Sequence, residues 1–183
     1  MDMQNIENQF TEFKSQLDTL NKKTPEDKCS LVVFSGDLDK AIAAFVIATG
    51  AVAMGMDAVM FFTFWGTPLL RDKAKSVGGK DIMSKMFGWM LPKGTSQTKL
   101  SKMNMGGMGT AMMKSLMKKK NVASVEQFLE MSEELGVRIF VCEMTMDLMG
   151  FKREEMIDYK HLEFCGVARF LEEAAKSKVQ LFI

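Results

Sequence analysis

The chain has three cysteines and one histidine, and one of the cysteines lies where chemistry is expected. Cys142 is part of "RIFVCEMTMDLMG", where an apolar, strand-like run ends and a Met-rich, helix-like run begins. In an open α/β sheet, the carboxyl ends of the strands form the crevice in which ligands and reactions collect. Peptide N–H groups at the start of the next helix would stabilise a thiolate or persulfide anion. The sequence therefore predicts Cys142 as a catalytic nucleophile.

Nearby carboxylates oppose that charge. Glu143 and Asp147 follow the cysteine, Asp37 lies in a loop expected to face it, and each carboxylate disfavours an anionic thiol. From sequence alone, the balance between the helix start, which favours the thiolate, and these carboxylates, which disfavour it, stays open. A free cysteine at a strand end is also often only a small buried apolar residue, so a structural role for Cys142 stays open as well.

Structural roles are predicted for the other two cysteines. Cys29 precedes the first predicted strand at its amino end, and Cys165 falls at the start of a predicted helix, where packing is favoured. His161 and Cys165 are spaced as helical neighbours, but two ligands are fewer than a zinc site requires. We therefore predict no metal site.

Strand-like and helix-like segments alternate along the rest of the chain. The clearest strand-like runs are Ser30 to Ser35, Ala58 to Phe64, Val137 to Cys142 and the final "VQLFI". This alternation predicts an α/β fold with a five-stranded parallel sheet, helices on both faces and a flavodoxin-like strand order. That order would place the first strand beside the Cys142 strand, with the loop Ser35 to Asp39 facing the thiol.

Candidate substrate-binding residues follow from this predicted crevice. They are Ser35, Gly36 and Asp37 in the first loop, and Met144 and Thr145 directly after the cysteine. The helix signals agree with the same arrangement, because Asp37 or Asp39 is a suitable cap for the helix that follows the loop.

The run from Ala41 to Leu70 has Asp57 as its only charge and raises the question of a membrane span. Its most helix-like part, Ala41 to Met56, is shorter than the ~20 residues that a span needs. Ala-rich helix formers ending at Gly55, followed by "AVMFFTF", instead predict one buried helix and one buried strand.

Composition limits the function classes. A chain of 183 residues with 47 % hydrophobic residues and a formal charge of +1 has the size of one globular domain and no field that would recruit nucleic acid. Widely spaced cysteines without a CxxC pair, and no basic-then-apolar leader, indicate a cytoplasmic protein with free thiols.

Two segments stand outside the minimal α/β pattern. Residues 1–28 are predicted as an amphipathic helix and linker before a domain at 29–183, and residues 78–121, a Met-rich insert, are predicted as a helical hairpin. Methionines at helical spacing favour a soft apolar face packed on the domain or on a sister subunit. Peripheral membrane contact by the Met/Lys face is a second possibility, and a copper(I) site is disfavoured because no Cys or His is near in sequence.

Four stretches together resemble the DsrE/DsrF-like sulfur-relay family, in its longer branch with a Met-rich insert. They are "VVFSGDLDKAIAAFVIATGA", "FFTFWG", "VCEMTMDLMG" and "GVARFLEEAAKSKVQLFI", within Ser30 to Ile183. The resemblance implies a five-stranded parallel α/β fold, a homo-oligomer, and a cysteine that carries sulfane sulfur as a persulfide between donor and acceptor proteins. Cys142 holds the position of that cysteine. By this mechanism no cofactor is required, and Cys142, rather than Cys29 or Cys165, becomes loaded with sulfur.

Two alternative functions stay open. A thiol peroxidase would use the same cysteine, but its Pro-x-x-x-Thr-x-x-Cys pattern does not precede Cys142. A non-catalytic oligomeric module would instead hold a small ligand in the crevice, and its function would survive the substitution Cys142→Ser.

The apolar content of the Met-rich insert predicts a homo-oligomer, since large apolar patches are rarely left open on soluble monomers. We expect light scattering of the full-length chain to show a defined oligomer. We expect smaller particles when residues 82–120 are deleted. A monodisperse full-length monomer would contradict the prediction.

Overall fold

The computed structural model describes residues 3–77 and 82–183. Within them the chain forms an α/β sheet structure preceded by one helix. The helices are α1 (Met3–Lys23), α2 (Leu38–Ala53), α3 (Ile82–Met90), α4 (Met108–Lys119), α5 (Val125–Glu134), α6 (Glu143–Met149) and α7 (Val167–Ala174). The strands are β1 (Glu26–Val33), β2 (Asp57–Phe62), β3 (Arg138–Cys142), β4 (Leu162–Cys165) and β5 (Ser177–Phe182).

The five strands form one parallel sheet in the order β4-β3-β2-β1-β5. The predicted α/β class and five-stranded parallel sheet are confirmed. The predicted flavodoxin-like order is wrong, because β2 lies between β1 and β3. β2, β3 and β4 each pair with the strand before them, and α7 then returns the chain across the sheet so that β5 pairs with the free edge of β1.

The fourth strand is the element that the sequence pattern concealed. Residues 158–164 have the composition of a turn, yet Leu162–Cys165 pairs with β3. β4 is four residues long and lies at the edge of the sheet, and Glu163 in its middle is exposed to solvent. A short edge strand with a charged residue lacks the uniform apolar pattern by which the buried strands were recognised.

One face of the sheet is packed tightly against α2 and α5. Alanines dominate the contact side of α2, so its backbone can lie close to the strands. The fully buried side chains between these layers include Leu31, Phe45, Phe62 and Ile139. Burying a side chain of this size contributes about 1.5–3 kcal/mol, which makes this layer the main hydrophobic core.

The helix signals read from the sequence agree with the structure in two cases. Asp37 is the N-cap of α2, and Gly55 beyond its end has a φ of 82°. Ser124 caps α5 in a reciprocal capping box with Gln127, and Gly136 follows that helix with a φ of 77°. The run from Ala41 to Leu70 therefore forms a buried helix and a buried strand as predicted. In the described ranges, no helix is both long and apolar enough to cross a membrane.

The segment with the methionines contains two helices, α3 and α4, joined by residues 91–107. This connection is anchored on the α/β core rather than forming a tight turn. Leu38 donates its N–H to the carbonyl of Lys99 at 2.8 Å, and the N–H and hydroxyl of Ser101 donate to the carboxylate of Asp39 at 2.9 and 2.6 Å. The predicted insert boundary at 78–81 lies outside the described residues.

The other face of the sheet, covered by α7, contains a buried charge network. The carboxylate of Glu173 accepts hydrogen bonds from both terminal nitrogens of Arg138. It also accepts hydrogen bonds from Lys28 and Arg169, and all four distances are 2.8 Å. Hydrogen bonds from Arg138, opposed by burial and assisted by Lys28 and Arg169, hold the pKa of Glu173 far below its ordinary value. The network ties α7 to β1 and β3.

We predict that Glu173→Gln destabilises the fold by about 3–5 kcal/mol at neutral pH, because buried Lys28 then keeps only the half-exposed Glu26 as a carboxylate partner and Arg138 loses its paired carboxylate. Denaturant unfolding measures the loss. Because the folded-state pKa is lowered, the stabilisation is present above the ordinary value of 4.5 and is lost as the pH falls below it. The difference in free energy of unfolding between wild type and Glu173→Gln should therefore become smaller toward pH ~3.

Glu172→Gln is the matched control for this prediction. Glu172 is the neighbouring carboxylate on the same helix, but its side chain is 68 % exposed. Its removal should cost less than about 1 kcal/mol. Equal effects of the two substitutions would contradict the assignment of the network to Glu173.

Candidate functional site

Cys142 is the last residue of β3 and the N-cap of α6. Its backbone is extended, with φ −69° and ψ 110°, and its thiol makes no cap hydrogen bond. The residue is 3 % exposed and belongs to the cluster on the α7 face of the sheet, together with Phe61 and Phe140. The predicted strand end and the helix directly behind it are thus present. α6 is only seven residues long, so its dipole is short.

Cys165 lies beside Cys142, in a position that the sequence did not reveal. It ends β4, and the parallel pairing of β3 with β4 makes Cys142 and Cys165 register partners. Both thiols are free, both are buried, and both belong to the same cluster on the α7 face. Cys165, predicted at the start of a helix, therefore also lies at a carboxyl strand end, since the segment before it is a strand. Because residues 158–164 have the composition of a turn, the sequence did not show that Cys165 lies beside Cys142.

The charged groups around the thiol pair are arranged as ion pairs. Arg169 contacts Glu163 at 3.3 Å, and Arg153 pairs with Glu143. Burial, together with Glu163, raises the pKa of Cys165 to about 11, although Arg169 opposes the rise. Cys165 is accordingly a protonated thiol at neutral pH.

Cys29, the third cysteine, lies apart from this pair. It is inside β1 rather than before it, is 2 % exposed and packs in the core on the α2 face. Burial raises the pKa of its thiol. This placement fits the structural role that was predicted for it.

The loop after β1 lines a separate cavity of about 800 Å³. Ser35, Gly36 and Asp37 contribute to its wall, and the hydroxyl of Ser35 donates to the Asp37 carboxylate at 2.8 Å. Trp65 and Trp89 form much of the apolar wall. Neither tryptophan was among the predicted site residues, although Trp65 lies in the quoted stretch "FFTFWG" and Trp89 in the Met-rich insert.

The predicted contact of this loop with Cys142 is wrong. The described residues that line the cavity do not include Cys142, because β2 separates the β1 loop from the end of β3. The two halves of the predicted site are instead connected through the turn that follows β2. The hydroxyl of Thr145 lies 3.0 Å from that of Thr63 and accepts the N–H of Phe64 at 3.1 Å. Thr145 is fully buried, so its hydroxyl positions this turn.

The same turn then approaches the β1 loop. Phe64 has a φ of 44°, a left-handed conformation that is unusual for a bulky residue and is held here by the hydrogen bond that its N–H donates to Thr145. The next carbonyl, that of Trp65, lies against Gly36, where an added Cβ would be only 2.3 Å from the oxygen. Met144, the remaining candidate, is 57 % exposed on the outer side of α6.

His161 packs against Tyr159 in an edge-on arrangement, with ring centroids 6.4 Å apart. Across residues 3–77 and 82–183, no group of three or more His, Cys, Asp or Glu side chains could hold a metal ion.

These features define a class: a parallel α/β protein with two adjacent thiols at the carboxyl edge of its sheet. A model of the DsrE/DsrF/DrsH-like family matches residues 25–182. The chain belongs to the DsrE/DsrF/DrsH-like family.

Known proteins with similar sequences cover most of the chain. "Uncharacterized protein YrkE" of Bacillus subtilis is 44 % identical over 156 residues, covering 85 % of this chain and 96 % of that protein. "Sulfur carrier protein DsrE2" of Allochromatium vinosum is 36 % identical over 164 residues, covering 86 % of this chain and 99 % of that protein. The crystal structure of the ychN protein from E. coli aligns with a TM-score of 0.49 and 11 % identity, covering 85 % of this chain and 99 % of that one.

We predict that Gly36→Ala shifts the turn after β2, because the new Cβ would overlap the carbonyl of Trp65. The substitution should lower the melting temperature and change the tryptophan fluorescence. Gly50→Ala in α2 is the control, since nothing lies within 4 Å of its added Cβ. Replacing a helical glycine there should stabilise the protein by up to about 1 kcal/mol. Unchanged fluorescence and stability for Gly36→Ala would contradict the close approach.

Proposed function

We propose that this chain is a sulfur carrier, in which Cys142 accepts sulfane sulfur from a donor persulfide and passes it to a partner thiol. The observation that carries the proposal is the position of Cys142 at the carboxyl end of β3, directly before α6. Membership of the DsrE/DsrF/DrsH-like family and similarity to a protein named as a sulfur carrier support a sulfur-relay role.

The proposed chemistry is two exchange reactions at sulfur. The Cys142 thiolate attacks the outer sulfur of the donor persulfide, so that a new S–S bond forms on Cys142 and the donor leaves as a thiolate. An acceptor thiolate then attacks the outer sulfur of Cys142–S–SH, and Cys142 leaves as a thiolate. Each step exchanges one S–S bond for another without a change in total oxidation state, and therefore requires no cofactor.

Access to the thiol is the main structural demand of this proposal. Cys142 is 3 % exposed, so a partner must approach over the starts of α6 and α7. Met144 in the first turn of α6 and Val167 in the first turn of α7 are both more than half exposed there. We assign Met144 to partner contact, whereas Thr145 supports the turn beneath it.

The remaining parts of the proposal concern assembly and location. We propose a cytoplasmic homo-oligomer with donor and acceptor proteins as partners and no nucleic acid. Exposed side chains on α4, among them Met108, Met112 and Leu116, support an apolar contact surface for a sister subunit or for peripheral membrane contact. The stripe on α1 is exposed as well, with Phe10 and Phe13 more than half accessible.

A second candidate function is favoured by the cavity at the β1 loop. Its volume of about 800 Å³ is within the range of small-molecule sites, and Ser35, Gly36 and Asp37 line it. A non-catalytic ligand-binding module would use this cavity and would not need Cys142. A thiol peroxidase-like role would need Cys142 but not the cavity.

We expect Cys142 to be the residue that the donor loads. The reduced protein is incubated with glutathione persulfide, quenched with an alkylating agent in denaturant, and mapped by peptide mass spectrometry. At the earliest times, wild type and Cys29→Ser should carry one added sulfur atom at Cys142, and Cys142→Ser should take up none at any cysteine. The loaded protein should then transfer its sulfur to an added acceptor thiol.

Two results would contradict the carrier proposal. Loading that persists in Cys142→Ser would remove Cys142 from the reaction. A wild-type protein that takes up no sulfur but consumes peroxide, or that binds a small ligand equally well after Cys142→Ser, would favour one of the two alternatives.

A further inference from the structure

We propose that Cys165 is a second sulfur-carrying residue, which receives the sulfane sulfur from Cys142 within the same chain. This inference rests on the proposed loading of Cys142 and adds a second step to it. Sulfur would enter at Cys142, move across one strand pairing, and leave from Cys165.

The first support is the register of the two cysteines. Cys142 and Cys165 are partners in the parallel ladder between β3 and β4, and both belong to the cluster on the α7 face. Neighbouring strands lie about 4.8 Å apart, and side chains at paired positions stand side by side. The pairing thus sets the separation of the two Cβ atoms, from which the thiols extend.

That separation suits transfer of a sulfur atom better than formation of a disulfide. A disulfide requires Cβ atoms about 3.5–4.5 Å apart, whereas side-by-side Cβ atoms on neighbouring strands are spaced more widely. In a sulfur transfer, the moving atom lies between the two thiols in a nearly linear arrangement. It is then joined to each by a partial bond longer than the ~2.05 Å of a full S–S bond. Two such bonds span a distance close to the spacing of the strands.

The reaction balances without an oxidant or a reductant. The thiol of Cys165 gives up its proton and attacks the outer sulfur of Cys142–S–SH. A bond forms between that sulfur and Cys165 while the bond to Cys142 breaks, and Cys142 leaves as a thiolate that takes up the released proton. The products are Cys142–SH and Cys165–S–SH, so the number of S–S bonds is unchanged.

The surroundings of Cys165 support its place as the exit. Gly166, Val167 and Ala168 directly after it are all exposed, and an added Cβ on Gly166 would meet nothing within 4 Å. After Cys142 the chain also reaches the surface, at Met144, before Thr145 is buried against the turn after β2. Cys165 itself is 7 % exposed, compared with 3 % for Cys142.

A time course on the wild-type protein tests the order of the two steps and needs no variant. After a pulse of glutathione persulfide, samples are denatured and alkylated, and the added sulfur is mapped on the two cysteine peptides. We expect sulfur on Cys142 first and on Cys165 later. Sulfur that stays on Cys142 at all times would overturn the inference and leave the carrier proposal intact. No uptake at all would overturn both.

Variants separate a carrier role from a structural one. Cys165→Ser and Cys165→Ala should still load at Cys142, and Cys142→Ser should lose loading at Cys165 as well. Cys29→Ser should match wild type, and melting temperatures show whether each variant is folded. Sulfur on Cys165 in folded Cys142→Ser would overturn the order of transfer. A Cys142–Cys165 disulfide with release of sulfide would overturn the carrier step in favour of reductive release.

A further readout addresses the path. Loaded Cys165→Ser mixed with unloaded Cys142→Ser should not pass sulfur to the second variant, because the transfer is within one chain. Passage between the variants would overturn this point.

Discussion

The parallel pairing of β3 with β4 is the constraint on which the site depends. Its backbone hydrogen bonds fix Cys142 and Cys165 as register partners at the carboxyl edge of the sheet. The arrangement is set by the ladder rather than by side-chain contacts, so it does not rely on a flexible loop. A one-residue slip of β4 would turn Cys165 to the opposite face and separate the two thiols.

The two faces of the sheet contribute differently to stability and function. The α2 face buries the large apolar side chains and contains Cys29, on the opposite side of the sheet from the thiol pair. The α7 face is smaller and combines the thiol pair with the network around Glu173. Because that network ties α7 to β1 and β3, it also holds in place the helix that follows Cys165. A buried charge cluster thus stabilises the less apolar side of the molecule, where the thiol pair lies.

The turn after β2 connects the thiol pair to the cavity at the β1 loop. Thr145 on α6 holds Phe64 in a left-handed conformation, and the next carbonyl lies against Gly36. The connection is made of one hydroxyl and one close backbone approach. Ser35 and Asp37 are therefore connected to the Cys142 region through these contacts of the turn after β2. They line a cavity whose described residues do not include Cys142.

The sequence by itself determined the α/β class, the buried α2 and β2, the caps of α2 and α5, and a cysteine at the end of β3. These features depend on local signals: apolar runs, cap residues, and glycines that tolerate a positive φ. Strand order, the existence of β4 and the meeting of Cys142 with Cys165 were decided by the tertiary structure. Strand pairing joins residues far apart in the chain, and a short edge strand such as Leu162–Cys165 lacks the apolar pattern that identifies a buried strand. For the same reason, the loop that the sequence placed beside Cys142 lies across β2 from it.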